Sequence, residues 1–176
     1  MPGDHEGADT ALDELYRRPG FLLRRAHQIS AGIFLEEAAG LGLTTTQYGA
    51  MVALRARGSL DQISIATLVG IDRSTTALVV SKLEDAGYIE RCDDDIDKRR
   101  KIITLSKAGH AMLERVAQPA ERARKRALEP FSKQDAAQFL GLLERFVAAF
   151  NEQTRAPIHP GKAKAPRAAC GISAPP

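Results

Sequence analysis

The chain has 176 residues, 44% of them apolar, with no tryptophan and a formal net charge of +3. That length suits one domain, or a core domain with flexible ends, and the apolar share is enough for an ordinary buried core. Bulk charge this small does not announce a polyanionic partner, no stretch approaches 18 consecutive apolar residues, and two distant cysteines give neither a disulfide framework nor metal-type spacing.

Residues 1–18 read as a flexible N-terminus, with a short helical turn from Ala11 to Arg18 that Pro19-Gly20 interrupts. The opening residues lack a basic stretch followed by an apolar run, so they do not form a signal peptide, and the cytoplasm is the simplest location. A long helix is expected from about 21 to 39, with Leu22, Ala26, Ile29 and Ile33 at helical spacing. Thr44 or Thr45 caps the next helix, Gln47 completes a capping-box spacing from Thr44, and Gly58 follows its end.

The segment 59–105 carries most of the information. Asp61 caps a short helix, Gly70 makes a tight turn, and Asp72 caps a second helix that Gly87 stops. Thr75, Val79, Leu83 and Ala86 form its expected inward stripe, which leaves Leu78 and Val80 outside. Residues 88–92 and 101–105 alternate as two strands joined by a charged loop. Helix, turn, helix and hairpin in that order describe a winged helix-turn-helix. Its second helix fits a major groove and its hairpin reaches a minor groove.

Ser106 caps a helix over 107–128, with a kink at Pro119, and Ser132 caps a final, unusually apolar helix. Five of the nine prolines follow Thr154, and 155–176 reads as a disordered tail. The segments 20–58 and 106–154 are amphipathic helices without evident partners inside 59–105. Pairing them with a second chain buries their stripes, so a homodimer is expected; an intrachain helical bundle is the other solution.

Charge position matters more than the total. The stretch 61–110 holds nine acidic and eight basic side chains, so phosphate affinity has to come from a focused cluster at 98–101 together with Arg73 and Lys82. Arg73, Ser74, Thr75 and Thr76 fill the first turn of the second helix, where side chains of such motifs meet base edges. Arg73 can address guanine bidentately and the hydroxyls suit bases or phosphates. Lys82 sits over the backbone. Arg99 is the first choice for the wing tip, beside Arg100.

Arg24 and His27 share one face of the first long helix and could hold a carboxylate, with Tyr48 and Met51 as an apolar wall; packed core roles are the plainer alternative. No Gly-rich phosphate loop, nucleophile elbow or paired metal motif occurs, and the four histidines are scattered. No cofactor and no enzymatic activity are expected.

Together, GIDRSTTALVVSKLEDAGYIER and DDDIDKRRKIITLSKAG resemble the MarR family of bacterial transcription regulators over about residues 20–153. The most specific elements are Asp97-Lys98-Arg99-Arg100 in the wing and Leu105-Ser106-Lys107-Ala108-Gly109 after it. The resemblance implies a mainly α fold with a small β-wing, dimerised through its N- and C-terminal helices. It implies a repressor that binds a palindromic double-stranded operator and is relieved by a small aromatic carboxylate. It also implies that Asp97 pairs with Arg99 or Arg100 and fixes the loop. RRPGFLLRRAHQI looks like the branch that controls aromatic carboxylate and nicotinate catabolism. A winged-helix module that binds protein, or a relative answering a non-aromatic signal, is the alternative; salt-sensitive DNA binding distinguishes the protein-binding module.

Overall fold

The computed structural model describes residues 5–94 and 99–161. Seven α-helices and three short strands follow in chain order: α1 His5–Arg17, α2 Pro19–Glu37, α3 Thr45–Arg57, β1 Ser59–Leu60, α4 Gln62–Val69, α5 Arg73–Asp85, β2 Ile89–Asp93, β3 Lys101–Leu105, α6 Lys107–Leu128 and α7 Lys133–Phe150. This is the expected mainly helical fold with a small wing. Among the described residues, no single helix is long and apolar enough to cross a membrane.

Helix starts follow local chemistry. Thr44 closes a full capping box with Gln47: Gln47 N–H donates to Thr44 Oγ1 at 3.2 Å and Thr44 N–H to Gln47 Oε1 at 2.8 Å. Asp61, Asp72, Ser106 and Ser132 each accept from the backbone N–H three residues on. Pro19 departs from expectation only in part. The helix before it does end, at Arg17, but Pro19 also occupies the first position of α2, where its missing N–H costs nothing. A 13-residue helix precedes it where a flexible segment was expected. Pro119 lies within α6, which is one helix from end to end.

The sheet order is β1-β3-β2, all antiparallel. β1 has only two residues, pairing Ser59 with Thr104 and Leu60 with Ile103. It ties the entry of the helix-turn-helix to the wing. Beneath lies one core of Met51, Leu54, Leu60, Ile65, Val80, Leu83, Ile103, Leu113 and Val116, all at most 1% exposed. The inward stripe of α5 is Thr76, Val79, Val80 and Leu83, not Thr75 and Ala86. Val80 is therefore core, while Leu78 is exposed as expected.

The β3–α6 junction explains why that corner needs serine and glycine. Ser106 Oγ accepts from Gly109 N–H at 3.0 Å and donates to the Gly87 carbonyl at 2.6 Å. Ser106 N–H donates to the Tyr88 carbonyl at 3.0 Å. A Cβ on Gly109 would stand 2.1 Å from that same carbonyl oxygen. The close approach of β2 to the first turn of α6 thus excludes any side chain.

α2 packs along α6, with Glu37 held by Arg122 at 2.9 Å and Arg126 bonded to Glu36 at 2.8 Å. α7 has no buried residue, and Leu142, Phe146, Val147 and Phe150 are exposed, as are Leu12, Leu15 and Tyr16 of α1. The chain beyond α7 departs from the expected disorder as far as Gly161. His159 N–H donates to the Thr67 carbonyl, Asn151 exchanges two hydrogen bonds with Ile158, and Arg57 donates to the Pro160 carbonyl at 2.7 Å.

Candidate nucleic-acid interface

The outward face of α5 presents Arg73, Ser74, Ala77, Leu78, Ser81 and Lys82, all exposed. Four positions expected at the first turn separate into two roles. Arg73 and Ser74 face outward, with Thr75 half-buried at the edge. Thr76 is fully buried, and its hydroxyl donates to the Asp72 carbonyl at 2.7 Å. It is a packing residue and is withdrawn from the DNA face.

Asp72 organises that turn. Its carboxylate accepts from the Ser74 hydroxyl at 2.5 Å, Thr75 N–H at 2.9 Å and the Thr75 hydroxyl at 2.7 Å. Those bonds, the Ser74 hydroxyl foremost, hold its pKa well below the ordinary carboxylate range. The hydroxyl protons of Ser74 and Thr75 point back to Asp72, so toward a ligand these oxygens act as acceptors. Arg73 and Lys82 remain as the exposed cationic donors of the face, one at each end of the helix.

The wing is fixed at its base. Arg100 Nε donates to Asp61 Oδ2 at 2.5 Å, a second guanidinium nitrogen pairs with the same oxygen, and Asp94 stands 3.9 Å away. Asp61 is buried, while also capping α4 through Ser64 N–H at 2.7 Å. Burial alone would raise its pKa, but the Ser64 bonds and Arg100 outweigh that and lower it. Arg100, expected to touch DNA, is tied to Asp61 and bolts the wing to the helix-turn-helix. Its partner is Asp61, which the sequence marked only as a cap. Asp97, expected to fix the loop, lies outside the described residues. Arg91–Glu84 at 2.6 Å ties β2 to α5, Lys101–Asp93 at 2.5 Å joins the two strands, and Arg99 is exposed at the hairpin.

The expected ligand residues divide between surface and core. Arg24 lies on the surface of α2, bonded to Gln28 at 3.1 Å and 4.8 Å from the centre of the Phe21 ring. His27 is exposed on the same helix. Tyr48 is half-buried with its ring 5.5 Å from that of Phe34. Met51 is completely buried, so it is core and not pocket wall.

A family model described as the MarR family matches residues 43–101, from the approach to α3 to the first residue of β3. A probable transcriptional regulator from Pseudomonas aeruginosa superposes with a TM-score of 0.72 at 37% identity, covering 75% of this chain and 98% of that one. The PcaV transcriptional regulator from Streptomyces coelicolor, solved in complex with its natural ligand, gives 0.71 at 32%, covering 77% and 95%. The HTH-type transcriptional repressor NicR from Pseudomonas putida is 26% identical over 139 residues, covering 79% of this chain and 88% of its own.

Proposed function

This chain belongs to the MarR family and is a transcription regulator of that type, and from that premise we propose that it is a cytoplasmic, homodimeric repressor of a palindromic double-stranded operator. Each copy lays α5 in a major groove and its wing along the adjacent minor groove. Arg73 addresses guanine, Ser74 and Thr75 accept from base edges, Lys82 meets the backbone, and Arg99 enters the minor groove. Leu78 supplies an apolar contact, of the kind thymine methyls favour. The observation that carries this reading is the outward face of α5, charged at both ends and joined to a wing bolted in place through Arg100 and Asp61.

The effector in this reading is a small aromatic carboxylate. Arg24 and His27 offer charge-assisted donors on α2, and the half-buried Tyr48 offers an aromatic edge on α3. PcaV, at 32% identity, was solved with its natural ligand, which supports a ligand-responsive regulator. Binding would favour a spacing of the two α5 helices that misfits successive major grooves.

The test is a mobility-shift titration on the DNA upstream of the gene. Arg99→Ala is expected to weaken binding at least tenfold, with the dimer and its melting temperature unchanged. Unaltered affinity would remove the wing from the interface. Hydroxylated benzoates and nicotinates are expected to raise the melting temperature and to release the DNA.

A further inference from the structure

The segment after α7 forms a strap across the helix-turn-helix. Asn151–Gln153 make one 3-10 turn, after which the chain bends through 154–156 and passes α4 to a turn at 160–161. Two bonds tie it to the helices, His159 N–H to the Thr67 carbonyl at 3.3 Å and Arg57 to the Pro160 carbonyl at 2.7 Å, and the Asn151–Ile158 pair at 2.9 and 3.2 Å closes the segment on itself. Ile158 lies over Gly70, the left-handed turn residue between α4 and α5. A Cβ there would stand 2.8 Å from the Ile158 side chain. The strap is thus seated on the turn that aims α5.

Its position brings Arg155 to the start of α5. Arg155 borders two grooves, of about 1200 and 520 Å³, and each is also lined by Asp72 and Arg73. Arg155 is exposed. Charge gives the segment a direction. The stretch 61–110 has one more acidic than basic side chain, whereas no acidic residue follows Glu152. Asp72 is committed to the helix cap, so the added cation serves the surface and not the cap.

Resting on the DNA-binding reading above, we propose that the strap is part of the nucleic-acid interface, with Arg155 as a further phosphate contact beside the N-terminal turn of the recognition helix. Helix N-termini already favour phosphate, and a guanidinium adjacent to one adds a bidentate donor. A phosphate contact is sequence-independent, so it acts on any duplex.

The experiment measures binding of the full-length protein to a random-sequence 30-base-pair duplex across a salt series. Arg155→Ala is expected to lower affinity about three- to tenfold at low salt and to reduce the slope of log K against log salt by about one. Arg155→Lys should restore most of both. Ile158→Ser, which unseats the strap without altering its charge, should reproduce the loss. Unchanged affinity and slope in Arg155→Ala would overturn the proposal. Tighter binding in either variant would also overturn it, since the strap would then obstruct the helix it crosses. A wild-type protein that ignores duplex DNA altogether overturns the repressor reading as well, which separates the two failures.

Discussion

At the scale of single residues, Asp61 carries two tasks with one carboxylate. It caps α4 and receives Arg100 from the wing. Asn caps a helix about as well as Asp but offers no charge. Asp61→Asn should therefore keep the cap, lose about 1–2 kcal/mol through the unpaired Arg100, and weaken operator binding several-fold, because the hairpin loses its bolt. Asp61→Ala should lose about 1 kcal/mol of stability as well, through the missing cap. An Asn variant that binds DNA like the wild type would deny Arg100 its positioning role. The cap was legible because it is a contact across three residues. The ion pair spans 39 residues and has no local signature. Thr76 shows the same limit: hydroxyl residues at 74, 75 and 76 look alike in sequence, and only packing decides which one is buried.

At the scale of elements, the caps at Thr44, Asp72, Ser106 and Ser132 were all readable, since each is a short-range bond. The inward stripe of α5 was read half correctly. Val79 and Leu83 anchor both versions, but threonine and alanine carry too little apolar contrast to fix its edges. β1 escaped notice because two residues become a strand only when β3 arrives beside them. The Leu105–Gly109 motif was recognised as a pattern, and the structure supplies its cause. Gly109→Ala should destabilise the fold by about 1–3 kcal/mol, as an added methyl group forces β2 away from α6. Urea denaturation measures this, and an unshifted midpoint would mean that the junction yields freely.

At the scale of the whole molecule, α7 and the outer sides of α1 and α2 each leave apolar side chains uncovered. A surface of this kind marks an association site. The homodimer expected from the amphipathic terminal helices would cover it. Since symmetry places each substitution in the interface twice, Leu142→Glu should weaken the dimer by two orders of magnitude or more. Sedimentation would detect the monomer at micromolar concentration. A variant that stays dimeric would place the interface elsewhere.

The uninterrupted α6 has a mechanical meaning. Its first turn is locked to the hairpin through Ser106 and Gly109, and its far half is clamped to α2 by Arg122 and Arg126. A rod of 22 residues measures about 33 Å, so a tilt of about 5° where α2 grips it swings the opposite end by about 3 Å. On the proposed reading, a small molecule that shifts α2 by a fraction of a side chain would gain leverage over the reading head through this one helix.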